Sequence, residues 1–262
     1  SMFANLGYTA NVHSDPLFDF SIPEDKETFD MLSTEQQAAV KDATADTIVV
    51  DVPGKSERTM ALMAHYDSAT VEGTENDEQS YSSGTSHGAA DDGYGVAAII
   101  ETLRAIKAEG RQPENSLKIV ITDGEEVGLV GARNEMRHHR ADYKNVDLVL
   151  NLEARGMSGP AFMFETSPNN SAVAGYFLSH VKQPVAGSLL PSLYARMPNT
   201  TDMAAFIPEG FTVLNIAAIG DAEHYHHPTD APRYVDHSTL QHYGDQVLDL
   251  ARAWAFDGQA PT

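Results

Sequence analysis

The sequence predicts an α/β protein, a three-layer α/β/α sandwich on a mixed, mostly parallel central sheet. Two observations predict it. Short apolar, β-rich runs alternate with amphipathic helical stretches, and no repeat or linker interrupts them. Acid- or histidine-bearing turns stand at the ends of several of these runs, where open α/β sheets place their sites. The 262 residues suit one domain and are enough to bury a sizeable core.

Taken in order, residues 1–46 are weakly patterned and 47–255 form the expected core. In the first part, Val12 to Phe20 holds a candidate strand. Ser33 to Lys41 (STEQQAAVK) carries a helix-capping pattern, with Ser33 or Thr34 leading Gln36 or Gln37. Strands are then expected at Asp46 to Val52 (DTIVVDV), closed by Pro53-Gly54, and at Arg58 to Ala64 (RTMALMA), which runs into His65-Tyr66-Asp67. Thr70 to His87 is polar and reads as a long functional loop. Gly88-Ala89-Ala90-Asp91-Asp92-Gly93 turns into an amphipathic helix over Val96 to Ala108. Leu117 to Thr122 (LKIVIT) reads as a buried strand ending at Asp123-Gly124, with Glu125 and Glu126 next and a helix over about 129–139. Val146 to Leu152 (VDLVLNL) is a further buried strand, and Glu153 follows it. Phe162 to Glu165 is a candidate edge strand, and Asn170 to Val181 a helix. Tyr194 to Phe206 reads as a polar loop and short helix. Phe211 to Ile219 is the last strand, followed by GDAEHYHHPTD and a helix from about His237 to Ala255.

Formal net charge is −21, with 38 acidic against 17 basic residues. That field disfavours nucleic acid and anionic membrane surfaces as partners and draws cations. Cysteine is absent, so any metal must be held by His, Asp and Glu. No apolar run reaches the roughly 20 residues of a membrane span, and no signal peptide is visible. The start at FANLGYTANV reads as mid-domain. The expectation is an upstream segment, with the chain as an extracytoplasmic domain of an anchored or secreted protein.

Five features gather at strand ends or at turns into helices. They are His65 with Asp67, Asp91 with Asp92, Glu125 with Glu126, Glu153, and the histidines of 224–227 with Asp230. Each has a bland reading alone: a strand-end ion pair, a glycine-rich turn, a solvated acidic turn, a salt bridge from Glu153 to Arg155, a polar surface loop. Together they suit a borderline cation such as Zn²⁺, bound without thiolates. Adjacent side chains diverge, so one of Glu125 and Glu126 can bind metal while the other handles protons.

In order, HYD, GAADDGxG, DGEExGLxGA, NLEARG, NTTD and YHHPTD resemble the motifs of the co-catalytic zinc exopeptidases of metallopeptidase family 28. NLEARG followed by SGPAFMFET is most similar to the vacuolar and endoplasmic-reticulum branch and its bacterial homologues. The resemblance implies two zinc ions: His65 and Glu153 on one, Glu126 and His226 on the other, Asp91 bridging both. It implies that Asp67 orients His65, that Glu125 is the general base, and that Tyr225 steadies the tetrahedral oxyanion. It further implies a cis peptide at Asp91-Asp92, and a substrate pocket flanked by Asn199 and Asp202. The family's tail motif has Thr or Ser where His227 stands, which leaves His226 and His227 both open by composition; Tyr225 before and Pro228-x-Asp230 after favour His226. The helix that the family usually carries before its first strand has no evident counterpart. The implied activity is that of an aminopeptidase on peptide substrates. A carboxypeptidase would need a basic pocket, with Arg155 and Arg196 as candidates; a glutaminyl cyclase would use one zinc. A non-catalytic binding ectodomain is the alternative from another class, opposed by the full ligand set.

Overall fold

A computed structural model describes residues 2–71, 84–187, 200–258 and 260–261. Seven strands form its main sheet, in the order β1-β2-β6-β3-β7-β9-β8. Their ranges are β1 Ala10–Pro16, β2 Thr44–Val52, β3 Ser56–His65, β6 Asn115–Thr122, β7 Val146–Ala154, β8 Ser158–Thr166 and β9 Val213–Gly220. The four strands β6-β3-β7-β9 pair in parallel, while β1 with β2, β2 with β6 and β8 with β9 are antiparallel. The sheet is therefore mixed as expected, with its parallel pairs at the centre. Apolar alternation reports which face a residue takes but not which way its strand runs, so the direction of β2 was not legible. A small second sheet joins β4 (Thr70–Val71) to β5 (Gly84–Thr85) inside the expected long loop, whose residues 72–83 lie outside the described ones.

Two helix layers cover the sheet because its central strands are apolar on both faces. In β3, Met60, Leu62 and Ala64 join one core, with α4 (Gly93–Ala108), α6 (Ser171–His180) and α8 (His237–Asp257). Ala61 and Met63 join the other, with Ala132 of α5 (Val130–His138) and with Met203 and Phe206 of α7 (Met203–Phe206). By the same alternation His65, Thr122 and Glu153 share the face of α5 and α7.

The first 46 residues hold more structure than their pattern suggests. The short α1 (Met2–Asn5) precedes β1, and α2 (Pro23–Met31) and α3 (Thr34–Val40) precede β2. The expected cap is present: Ser33 accepts from the Gln36 amide and the Gln36 side chain accepts from the Ser33 amide. Helix α2 has no buried residue, so it shows no apolar stripe. It starts instead on Pro23 at its first turn, with Glu24 and Asp25 complementing the helix dipole. At the other end of the chain, Trp254 of α8 is fully buried and donates from Nε1 to the Ser116 carbonyl of β6.

Phe206 tests the smaller core. It is fully buried, and its ring lies 5.5 Å from both Tyr143 and Phe211 in edge-to-face contacts. Phe206→Ala removes that packing and is expected to cost about 3–5 kcal/mol, read by urea denaturation. A change below 1 kcal/mol would mean that this layer is not a close-packed core.

Candidate metal centre

Strand β3 ends in His65, which is 1% exposed. Its Nδ1 lies 3.1 Å from the Asp67 carbonyl oxygen and 3.4 Å from Asp67 Oδ1. Donation from Nδ1 fixes the tautomer and turns the Nε2 lone pair inward. Nε2 in turn lies 3.3 Å from Asp91 Oδ1 and 3.9 Å from Glu153 Oε2.

Asp91 precedes α4 and is almost fully buried. The Asp91–Asp92 peptide is cis, as the resemblance implied. Two neighbours hold this turn. Asp230 Oδ1 accepts from the Ala90 amide at 2.7 Å, and its Oδ2 from the Asp91 amide at 3.1 Å. Asp92 caps α4 by accepting from the Gly95 amide at 3.1 Å; a Cβ at Gly95 would stand 2.4 Å from Asp92 Oδ2 and push the capping carboxylate aside. Asp91 is thus left to present its two oxygens to two different histidines, since Oδ2 lies 3.4 Å from His226 Nε2.

The Glu125-Glu126 turn follows β6. Gly124 takes φ 70, the left-handed conformation that turns the chain out of the strand. The Asp67 carboxylate then accepts from the Glu125 and Glu126 amides, each at 3.1 Å. Asp67 therefore does more than orient His65, because it also locks the turn that aims both glutamates. Glu126 Oε2 lies 3.0 Å from His226 Nε2.

Among the tail histidines, His226 reaches this cluster with φ 54, a conformation uncommon outside glycine. His224 and His227 are turned elsewhere: each brings Nδ1 to Thr229 Oγ1, at 2.6 and 2.7 Å. Tyr225 stacks on the His226 ring at 3.7 Å, and the Arg155 guanidinium lies 5.1 Å from the Tyr225 centroid on the tyrosine face. Arg155 makes this cation–π contact rather than the salt bridge to Glu153 that its position suggested.

At this centre, among the described residues, three sets of groups have atoms within 4.8 Å of one another: His65, Asp91 and Glu153; Asp91, Glu126 and His226; and His65, Glu125 and Glu126. Buried Glu126 Oε1 and His226 Nε2 make no hydrogen bond. Burial pushes Glu125 up to about 8, with Asp202 reinforcing it, and pushes Asp202 up to about 6. Burial, then Glu125, drives Glu153 well above the usual carboxylate range. Burial opposes the charged form of His226, but the adjacent Asp91 and Glu126 carboxylates outweigh it and raise it to about 9. Carboxylates crowded this deeply need cations, and the donor set of imidazoles and carboxylates fits a borderline cation such as Zn²⁺.

The sequence model of Peptidase family M28 matches residues 47–251. The chain belongs to peptidase family M28. This M28 chain is 28% identical over 210 residues to a vacuolar membrane protease of Lodderomyces elongisporus, covering 79% of the chain and 20% of that protein. It spans about a fifth of the length of the curated relatives it matches. Its fold is similar to that of a zinc aminopeptidase from Bacillus subtilis, at 18% identity and TM-score 0.64, over 87% of this chain and 57% of the other. It is also similar to glutaminyl cyclase of Porphyromonas gingivalis, at 17% identity and TM-score 0.70, over 97% and 87% of the two chains. No helix among the described residues is long and apolar enough to cross a membrane.

Sequence reasoning about the M28 site missed the polar support beneath it. Asn151 donates to Glu153 Oε1 and to Asn215 Oδ1, both at 3.1 Å. Asn215 donates to Glu165 and Thr201, each at 3.0 Å. The Tyr243 hydroxyl accepts from the Glu153 amide at 2.7 Å. Thr122 donates to Asp202 Oδ2 at 2.5 Å. A signal did exist: Asn151 and Glu153 alternate onto one face of a strand that is otherwise apolar from Leu148 to Ala154. Of the two residues expected to flank the pocket, Asp202 lies in this network and Asn199 lies outside the described residues, as does Arg196, a candidate for the basic pocket of a carboxypeptidase.

The tail loop gives a direct test. His226→Ala is expected to lower the zinc content of purified protein by one ion, and His227→Ala to leave it unchanged. Metal analysis of the two variants decides, and the reverse result would reject the assignment of this loop.

Proposed function

We propose that the chain is the catalytic domain, a single unit over residues 1–262, of a dizinc exopeptidase that removes residues from peptide N-termini. One observation carries the reading. The two oxygens of Asp91 face separate histidines, so two trios of donors share one carboxylate while Glu125 lies outside both. In this reading His65, Asp91 and Glu153 hold one zinc, and Asp91, Glu126 and His226 the other. When bound, the pair of ions supplies Lewis acidity that polarises a scissile carbonyl and lowers the pKa of water to about 7.

The chain's own groups do the rest. Glu125 takes a proton from the attacking water and returns it to the leaving amine. The Asp67 clamp on its amide fixes the backbone from which that carboxylate reaches for both transfers. Tyr225, stacked on His226 and contacted by Arg155, is the donor to the tetrahedral oxyanion. A cavity of about 440 Å³ opens beside Glu126 and His226, and Asp67, Asp123 and Val127 also line it. Its acidic wall and the net charge of −21 complement a free ammonium group rather than a terminal carboxylate. The vacuolar membrane proteases among its relatives fit a chain that is one domain of an anchored protein.

Turnover of aminoacyl, N-blocked and N-terminal Gln peptides, with and without chelator, tests this reading. Chelator-sensitive release of the N-terminal residue is expected, with N-blocked peptides untouched. Cyclisation of N-terminal Gln without hydrolysis would favour a cyclase instead. Glu125→Gln is expected to retain both zincs and lose about 10²–10⁴ in kcat, with KM little changed. A fully active Glu125→Gln protein with its metal in place would overturn the mechanism.

A further inference from the structure

A second cluster of metal-binding chemistry lies away from the Asp91 centre, where β1 meets the end of α5. His13 is on the edge strand β1 and His139 caps the carboxyl end of α5; their rings stack at 3.8 Å with an interplanar angle of 20°. Each imidazole already has a carboxylate partner on one nitrogen. His13 Nδ1 lies 2.8 Å from Glu135 Oε1, and His139 Nε2 lies 2.9 Å from Asp15 Oδ2. That leaves His13 Nε2 and His139 Nδ1 to bind something else. Asp142 completes the group: one atom each of His13, His139 and Asp142 lie within 4.8 Å of one another.

We propose that His13, His139 and Asp142 form a further binding site for a borderline divalent cation such as Zn²⁺, separate from the Asp91 centre. The chemistry matches what such a site requires. Two imidazoles and a carboxylate suit borderline divalent ions. A histidine that binds metal donates its other N–H to a carboxylate or carbonyl, which fixes its tautomer and raises its basicity. Both histidines have that partner. Glu135 is a built one: its side chain is fully buried, and its second oxygen accepts from the Tyr143 hydroxyl at 2.7 Å. A fully buried carboxylate held from one side by a tyrosine and from the other by an imidazole does not swing away when an ion arrives.

Access and electrostatics agree. The His13 and His139 side chains keep 17% and 25% of their exposure, and Asp142 is exposed. His13 and Asp142 line an open cavity of about 540 Å³ that also contains Lys118. Lys118 does not repel the ion at full strength, because its Nζ is bonded to Asp51 at 2.6 Å. Ligands of one zinc, at about 2.0–2.1 Å from it, stand no more than about 4.2 Å apart, so binding draws the three groups in and splays the stacked rings. The ion would tie β1 to α5, where Asn134 already donates to the Pro16 carbonyl at 3.0 Å. Helix α5 begins at the Glu125-Glu126 turn, so the clip would brace the far end of the element that leaves the main centre.

The test is zinc titration of the full chain by calorimetry, beside metal analysis after gel filtration. His139→Asn and Asp142→Asn are each expected to bind one zinc fewer than the wild type, with unchanged peptide turnover. Asp142 is exposed, so its variant keeps the test valid if His139→Asn fails to fold. Asp91→Asn is expected to lose zinc from the main centre and still bind the ion at His13, His139 and Asp142. Because the readout is a difference between variants, it stands whatever number of ions the Asp91 centre takes. An anomalous zinc signal between the three side chains in a crystal is the positive outcome. Equal zinc content in wild type, His139→Asn and Asp142→Asn overturns the proposal, as does an additional ion that persists in both variants.

Discussion

The constraint on which this structure depends is the burial of negative charge. Asp67, Asp91, Asp92, Glu125, Glu126, Glu153 and Asp202 converge on two imidazoles at the carboxyl ends of the central strands. Taking carboxylates out of water is costly unless each is hydrogen-bonded, paired or bound to a cation. Four of the seven are satisfied at least in part by neutral groups of the protein: Asp67 by two backbone amides, Asp92 by the amide of Gly95, Asp202 by Thr122, and Glu153 by Asn151. The others face one another and the histidines, and burial raises Glu125, Glu126 and Glu153. This division separates acids held by neutral groups of the protein from acids that face only other charged groups.

Asp230 belongs to the first kind and links distant parts of the chain. It comes from the tail loop, yet its oxygens hold the amides of Ala90 and Asp91. The same loop brings His226 against Asp91 and Glu126. Placement of Asp91 and of His226 is therefore coupled through this one loop. Asp67 does the same on the opposite side, coupling His65 at the end of β3 to the glutamate turn after β6. Parallel pairing of β3 with β6 puts those two strand ends side by side, and this is how the sheet topology reaches the site.

Helix α5 connects this centre to the amino-terminal segment. It leaves the glutamate turn and ends at His138 and His139, where His13, Asp15 and Glu135 join edge strand to helix. The weakly patterned first 46 residues are thus tied to the core at this end through polar contacts, while Phe3, Leu6 and Tyr8 pack on the main core. Strand β1 is an edge with little burial, and α2 and α3 bury no residue fully, which is why hydrophobic periodicity reported so little there.

By itself the sequence determined the residue types, their order and their position relative to the strands. The runs ending at His65, Thr122 and Glu153 are apolar enough to be central, and alternation assigns those three side chains to one face. The cysteine-free chemistry restricted the metal donors to His, Asp and Glu. Only the tertiary structure decided which neighbours in each motif turn inward. His226 rather than His227 meets Asp91 because the loop takes φ 54 at residue 226 and spends His224 and His227 on Thr229. The clamp by Asp67, the support from Asn151 and Asn215, and the pairing of His13 with Glu135 all span long stretches of chain. Local pattern carries the period of an element and the polarity of its faces. It does not carry the closure of distant loops, because the hydrogen bonds that hold such a loop exist only after the sheet has brought its ends together.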